Sequence, residues 1–187
     1  GDVLMVQADF SAEYTIQAAL IAFGSGAPQS MSVTGSSIVL EYEEDRSAIL
    51  STPPYPSEFP EVVEFIGSLG RITLEQPAHC PTAITIRVPK KTPSRYMNSN
   101  TPAPANRYEY PIPDSVCIPM AFPNQQGFLY EAEAVHRCLA AGLLECPQFT
   151  KTDSLRVIDL VAEVQKNPKR QAYLKKLRAK YMSKSPH

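Results

Sequence analysis

The sequence lacks several features that would assign it to a functional class at once. It has no tryptophan, and its four cysteines (Cys80, Cys117, Cys138 and Cys146) form no C-x-x-C pair, which argues against a zinc site or a redox motif. No stretch approaches the ~20 uninterrupted apolar residues of a membrane span, and no basic-then-apolar leader precedes the first predicted strand. We therefore predict a cytoplasmic protein with reduced, mostly buried thiols and no metal site.

A Gly-x-Gly-x-x-Gly turn between a strand and a helix is also missing from the 187 residues. That turn cradles the pyrophosphate of NAD(P) in dinucleotide-binding domains. We therefore predict that this chain binds no cofactor, and that NAD(P) is involved only if a dinucleotide-binding domain lies upstream. We do not expect the chain to transfer hydride by itself, because a nicotinamide would have no phosphate anchor.

Negative charge is absent from the C-terminal end of the chain. All 19 acidic residues precede Lys166, whereas eight Lys and Arg residues lie from Lys166 onward. Such a block could meet nucleic acid or an acidic partner, but no platform of interleaved aromatic and basic residues accompanies it. We therefore interpret residues 168–187 as a basic, solvated helix and tail, with neither nucleic acid nor membrane as a partner.

The hydrophobic pattern predicts a sheet followed by helices. Alternating apolar residues predict strands over 3–10, 31–35, 37–42, 47–52, 62–66, 71–74 and 83–88, with a further edge strand over 107–111. Helical spacing predicts helices over 14–23, 128–141, 154–165 and 168–182, the third of them capped by Thr152 or Asp153. We predict one α+β domain over 1–187, in which an open, mostly antiparallel sheet of about six strands carries helices on one face.

Proline is concentrated in the middle of the chain. Fourteen of the 18 prolines fall between Pro53 and Pro123. The segment 90–106 is too rich in proline and polar residues for regular structure, so we predict an irregular flap or lid there.

Four segments carry a resemblance to a known family. The segments 127–147 (GFLYEAEAVHRCLAAGLLECP) and 153–160 (DSLRVIDL) resemble C-terminal helices of the glucose-fructose oxidoreductase and inositol dehydrogenase (Gfo/Idh/MocA) family. The turn 67–72 (GSLGRI) is similar to a "GTKGxI" turn, and 80–82 (CPT) to a "CPTEL" strand entry, of its dimeric dihydrodiol dehydrogenase branch. The resemblance implies the C-terminal substrate and dimerisation domain of such an enzyme, with the dinucleotide-binding domain absent.

The resemblance also implies a site. Tyr14 lies where the family's proton-donating tyrosine precedes a helix, so it is our candidate catalytic residue; the alternative is that it only starts the helix, with its ring on the sheet. Phe122, eight residues before Tyr130, matches a phenylalanine that lines the family's substrate pocket. Further aromatic candidates for the wall of a substrate pocket are Phe23, Tyr55 and Phe128.

The chain departs from the family at the start of that site. Phe10 stands where the family has an aspartate, and the residues between Phe10 and Tyr14 are too few to form the family's catalytic wall. His79 and Cys80 offer no replacement, because we expect neighbouring residues in a strand to point to opposite faces.

Three functions remain open at this stage. The chain is a truncated dehydrogenase relative that binds a small, largely apolar substrate in a remnant pocket, or a stand-alone cofactor-independent cyclase, isomerase or lyase. The third is a non-catalytic dimerisation module, or a fragment of a full-length NADP-dependent dihydrodiol or sugar dehydrogenase. The resemblance implies a C2 homodimer through the uncovered sheet face, on which we expect strands 38–40 and 84–86 to expose apolar side chains.

Overall fold

The computed structural model describes residues 1–24, 26–53, 61–89, 104–112 and 124–182. Its strands are β1 (Val3–Asp9), β2 (Ser30–Val33), β3 (Ser37–Glu41), β4 (Ser47–Ser51), β5 (Val62–Gly67), β6 (Gly70–Leu74), β7 (Ala83–Arg87) and β8 (Ala105–Glu109). Its helices are α1 (Ala12–Phe23), α2 (Phe128–Ala140), α3 (Lys151–Lys166) and α4 (Pro168–Met182), and a 3-10 turn (Gln125–Gly127) precedes α2. The predicted α+β fold is confirmed. The sheet has eight strands, each overlapping one of the eight predicted strand ranges, although its total was expected to be about six.

All eight strands belong to one open sheet in the order β2-β3-β4-β1-β5-β6-β7-β8. β1 lies in the middle, parallel to β4 and antiparallel to β5, and the remaining neighbours are antiparallel. The predicted mostly antiparallel arrangement is therefore confirmed. Because β1 is central, the loop that leaves its C-terminal end starts from the most firmly held part of the sheet.

The core lies between one face of β3, β4 and β1 and the helices α1 and α3. Side chains that are buried on this side alternate with exposed ones along each strand, as a half-covered sheet requires. Each fully buried Ile or Leu here contributes about 1.5–3 kcal/mol. The sheet supplies Val6, Ala8, Ile38, Leu40, Ala48 and Leu50, α1 supplies Ile16, Ala19 and Leu20, and α3 supplies Leu160, Val161 and Val164.

The expected set of open-face residues needs correction. Ile38 and Leu40 are buried against the helices, and of strand 38–40 it is Val39 that points to the open face. Ile84 is paired with Leu74, which is paired with the buried Val63, so Ile84 also lies on the helix side. The strands were predicted well, but which face the helices cover depends on tertiary packing.

The C-terminal helix is only partly solvated. Arg170 donates from Nη1 to the backbone oxygens of Gly35 (2.6 Å) and Thr52 (2.9 Å), and burial lowers the pKa of its guanidinium. The ring of Tyr173 fills the space beside Gly35 that a Cβ atom would need. α4 is therefore anchored to the β2–β3 turn, whereas Lys175, Lys176 and Lys180 are exposed, as expected for a basic surface.

The start of α3 differs from the prediction. Thr150 is the N-cap, and its hydroxyl accepts from the backbone N of Asp153 while the Asp153 carboxylate accepts from the backbone N of Thr150. This reciprocal pair is a capping box, so the prediction of Thr152 or Asp153 as the cap was wrong by two or three residues. The apolar pattern begins one turn after the cap, which moved the predicted boundary inward.

The predicted flap is described only at its end. Residues 90–103 lie outside the described residues, and Ala105 and Asn106 belong to β8, so the irregular segment stops before them. β8 is an edge strand of the sheet, and Arg107 on it donates to the carboxylate of Glu75.

A search of the described helices for a membrane span found none with the length and apolar composition to cross a bilayer. A single domain over 1–187 stays a prediction.

Candidate functional site

A cavity of about 480 Å³ lies where β1 passes into α1. Three parts of the chain form its wall: the β1–α1 junction, the residues that flank β5 and β6, and the start of α2. They contribute Phe10 and Tyr14, then Glu61, Gln76, Pro77, His79 and Cys80, and finally Asn124, Gln125, Gly127, Phe128 and Glu131. A concave, mainly apolar wall with a few polar groups is typical of a small-molecule site.

Tyr14 is placed by the sharp passage from strand to helix. Phe10 N donates to Ser51 O, which extends the β1–β4 pairing, and Thr15 N then donates to Ser11 O as α1 begins. Tyr14 therefore lies in the first turn of α1, with its ring centroid 4.8 Å from that of Phe10. Half of the Tyr14 side chain is exposed, so its phenol can meet a molecule in the cavity.

A His–Glu pair also lines the cavity, next to Phe10. Nδ1 of His79 lies 2.6 Å from Oε2 of Glu61, and the His79 ring stacks with the Phe10 ring at a centroid separation of 6.1 Å. A carboxylate that accepts from Nδ1–H fixes the orientation of the imidazole. The Phe10 ring is thus in contact with both the Tyr14 ring and the His79 ring.

Two cavity residues have a backbone conformation that is uncommon for non-glycine residues. Glu61 has a φ of 43° and Asn124 a φ of 54°. Ala78 N donates to Glu61 O, and the Asn124 side chain donates to Cys80 O, so hydrogen bonds hold both positions. Strained backbone of this kind concentrates at functional sites, because the surrounding structure must stabilise it.

The start of α2 is fitted closely against Cys80. A Cβ atom on Gly127 would lie 2.4 Å from the Cys80 sulfur, so only glycine fits there. Burial raises the pKa of the Cys80 thiol, which keeps it protonated at neutral pH and makes it a weak nucleophile. Phe128 and Glu131 follow on the first turn of α2 and face the cavity.

The structure brings together some of the predicted site residues and not others. Tyr14 and Phe128 line the same cavity, whereas Phe23, at the far end of α1, packs its ring 4.7 Å from that of Tyr42 and does not line it. Tyr55 and Phe122 lie outside the described residues. A catalytic role for Tyr14 and substrate binding by Phe128 stay predictions.

Sequence reasoning missed the His79–Glu61 pair. His79 and Cys80 were expected to point to opposite faces of a strand, but they lie in the turn before β7 and both line the cavity. One signal was available, because Cys80 begins the segment that resembles a strand entry, and residues before a strand entry belong to a loop. Glu61 gave no comparable signal, since it is 18 positions away from His79.

The described residues were predicted to hold neither a metal nor a dinucleotide. In those ranges no group of three His, Cys, Asp or Glu side chains could hold a metal ion. β1 passes into α1 through Phe10 and Ser11, without the glycines that let a backbone approach a pyrophosphate. This junction therefore lacks the turn that holds a pyrophosphate, and the absence of a cofactor from the chain stays a prediction.

Known proteins give a consistent picture of the family. No family model matches the chain. A trans-1,2-dihydrobenzene-1,2-diol dehydrogenase from Danio rerio is 29% identical over 153 residues, which cover 81% of this chain and 38% of that protein. The Sus scrofa protein of the same name is 24% identical over 162 residues, covering 82% of this chain and 43% of that one. The chain thus spans about two fifths of the length of these relatives.

Solved structures share the fold at low identity. A UDP-N-acetylglucosamine 3-dehydrogenase from Acidithiobacillus ferrooxidans has a TM-score of 0.61 at 12% identity, over 93% of this chain and 56% of that one. An oxidoreductase from Agrobacterium radiobacter has a TM-score of 0.61 at 13% identity, over 89% and 56%. The resemblance predicted from sequence is confirmed: the chain is similar to the C-terminal part of dihydrodiol dehydrogenases, and its structural neighbours are Gfo/Idh/MocA-type oxidoreductases.

Proposed function

We propose that this chain, which is similar to the C-terminal part of dihydrodiol dehydrogenases, binds a small, largely apolar molecule in the cavity beside Tyr14. The observation that carries the proposal is the cavity itself, where the rings of Phe10, Tyr14 and Phe128 form an apolar wall. A flat cyclic molecule would bury its carbon skeleton against these rings and place its polar groups near Tyr14 or His79.

The names of the relatives suggest the chemical class. They are dehydrogenases of trans-1,2-dihydrobenzene-1,2-diol, a six-membered carbon ring with two neighbouring hydroxyl groups. Such a diol suits a site with few polar groups, and we propose it as the model ligand. In this proposal the chain supplies the substrate-binding part of an oxidoreductase, and hydride transfer is not assigned to the residues described above.

Titration with trans-1,2-dihydrobenzene-1,2-diol tests the binding site. We expect NMR shifts at Tyr14, His79 and Phe128, and Phe128→Ala should weaken binding by about tenfold, since losing one ring contact costs about 1–2 kcal/mol. The matched control is Tyr130→Ala, which removes an exposed aromatic ring from the same helix outside this cavity. Shifts confined to other parts of the chain, or equal weakening by both variants, would place the ligand elsewhere.

The His79–Glu61 pair favours a second function, cofactor-independent proton transfer. A histidine oriented by a carboxylate is a common general base, and Tyr14 in the same cavity could donate a hydrogen bond to a developing oxyanion. Isomerisation or elimination next to a carbonyl group needs these two roles and no nicotinamide. This is the cyclase, isomerase or lyase alternative predicted from the sequence.

Hydrogen–deuterium exchange at carbon tests the second function. With a cyclic α-hydroxy ketone in D₂O, we expect the protein to catalyse exchange next to the carbonyl group, and His79→Gln to reduce the rate by at least about 10²-fold. His136→Gln is the control, because His136 is exposed on α2 and does not line the cavity. Exchange that is no faster than in buffer, or that survives His79→Gln, would rule this function out.

A homodimer through the open face of the sheet is the third part of the proposal. The open face presents an apolar centre of two cross-strand pairs, Val39–Ile49 and Met5–Ile66, with the polar Gln7 of β1 opposite Ile49. Exposed apolar clusters with a polar rim are typical of protein interfaces.

A cytoplasmic location stays a prediction from the sequence.

A further inference from the structure

A second cavity, of about 450 Å³, lies near the C-terminal end of α2. Cys138 and Cys146 both line it, together with Arg137, Leu143 and Gln148. The two cysteines are free and half-buried, and Cys146 donates to Oε1 of Gln148 (2.9 Å). Neither thiol takes part in the site beside Tyr14.

The backbone between the two cysteines is held at both ends. Leu143 N donates to Cys138 O and Gly142 N to Leu139 O, with Gly142 at a φ of 69°. This is the Schellman motif that ends helices, and it turns the chain back toward Cys138. Further along, Lys151 N donates to the Glu145 carboxylate as α3 begins. The thiols are therefore brought together by local structure.

We propose that Cys138 and Cys146 form a site of reversible thiol oxidation, which small disulfides such as oxidised glutathione convert to an intramolecular disulfide. The Cys146 thiolate attacks one sulfur of the external disulfide, forms a mixed disulfide and releases one small thiol. The Cys138 thiolate then attacks the Cys146 sulfur and releases the second small thiol. Overall, two protein thiols lose two hydrogens and one external disulfide is reduced to two thiols.

The order of attack follows from the surroundings of the two sulfurs. Burial and then the neighbouring Cys146 raise the pKa of the Cys138 thiol, which keeps Cys138 protonated at neutral pH. In the proposed order Cys138 is the resolving thiol, which attacks once Cys146 carries the mixed disulfide.

The disulfide would fix the position of α2. None of the residues of α2 is buried, yet its first turn carries Phe128 and Glu131 of the first cavity. A covalent link from Cys138 to the segment before α3 would tie α2 to a helix that packs in the core. We expect slower amide hydrogen exchange along α2 in the oxidised protein than in the reduced protein.

Peptide mapping after treatment with oxidised glutathione tests the site. Trypsin releases residues 138–151 as one peptide that contains both cysteines, since Arg137 and Lys151 bound it and no Lys or Arg lies between them. We expect this peptide to lose two hydrogens, while the peptides with Cys80 and Cys117 stay reduced or carry only glutathione. Cys138→Ser and Cys146→Ser should each leave a persistent glutathione adduct on the remaining cysteine.

Two further measurements complete the test. The disulfide should form several-fold faster in the folded protein than in urea, because folding holds the thiols together. Equal rates, or a 138–151 peptide with two free or two glutathione-bearing cysteines, would overturn the proposed site. A disulfide that forms without slowing amide exchange in α2 would overturn the proposed anchoring of that helix.

Discussion

Phe23 and Tyr42 show how a residue can fit a functional pattern and serve packing instead. Phe23 was a candidate for the substrate pocket, but its ring packs against Tyr42, and the Arg46 guanidinium lies 5.6 Å from its centroid. Tyr42 is only 6% exposed, and its hydroxyl has no hydrogen-bond partner among the described residues. A buried hydroxyl without a partner destabilises the folded state.

We expect Tyr42→Phe to raise the free energy of unfolding by about 1 kcal/mol, because it removes an unsatisfied polar atom and keeps the ring. Burial raises the pKa of Tyr42 from 10.0 to about 12. The neutral phenol is thus favoured in the folded state. The stabilisation that comes from this difference in pKa is fully present below pH 10 and is lost as the pH rises from 10 toward about 12.

Urea unfolding of the wild type and of Tyr42→Phe, at neutral pH and between pH 10 and about 12, measures the difference in stability. The Tyr42→Phe protein should lose less stability in that alkaline range than the wild type. Tyr108→Phe is the control, since Tyr108 is largely exposed on β8. Equal alkaline losses in the wild type and Tyr42→Phe would contradict the assignment of this pH dependence to Tyr42.

At the scale of elements, the type of each helix and strand followed from the sequence, but the ends often did not. The β3–β4 hairpin was predicted within one residue at its outer ends because apolar residues alternate on both sides of the acidic turn. α3 was predicted three residues too short at its start, because Thr150 and Asp153 form a capping box before the apolar stripe begins. Polar residues form a helix cap, so the hydrophobic pattern does not mark a helix end that is set by its cap.

Thr150→Ala should therefore destabilise the protein by about 1 kcal/mol, because the backbone N–H of Asp153 loses its acceptor and the Asp153 carboxylate loses the Thr150 hydroxyl. Thr152→Ala is the matched control, since Thr152 is exposed in the first turn and was the alternative cap. Chemical denaturation of the two variants measures the difference. A larger loss for Thr152→Ala than for Thr150→Ala would be incompatible with the observed capping box.

The candidate site could be predicted only in part, for a physical reason. Tyr14 was found because it lies where the family's tyrosine precedes a helix, and Phe128 because it is an aromatic residue at the start of a predicted helix; both line the cavity. His79 and Glu61 meet through a contact between distant parts of the chain, which no local pattern encodes. The cavity is thus assembled by the sheet order, in which β1 and β5 are neighbours.

At the scale of the whole molecule, the open sheet face decides how copies associate. Eight strands at ~4.8 Å spacing and about 17 Å in length give a flat footprint of roughly 650 Å². That is close to the ~800 Å² of accessible surface that each partner buries in a stable interface. The apolar centre on Met5, Val39, Ile49 and Ile66 is bordered by polar residues such as Glu64 and Thr73, which are hydrogen-bonded to each other.

We expect the wild-type chain to sediment as a dimer at micromolar concentration and Ile49→Lys to sediment as a monomer. Ile49 is 40% exposed and faces Val39 across β3 and β4, so a lysine there would place a charge in the apolar centre of the interface without disturbing the helix side. Ile21→Lys is the matched control, because Ile21 is more exposed but lies on α1, on the opposite side of the sheet. A wild-type monomer would contradict the proposed dimer. Dissociation by Ile21→Lys, with Ile49→Lys still dimeric, would move the interface to the helix side, where a partner would cover α1 and not the open sheet.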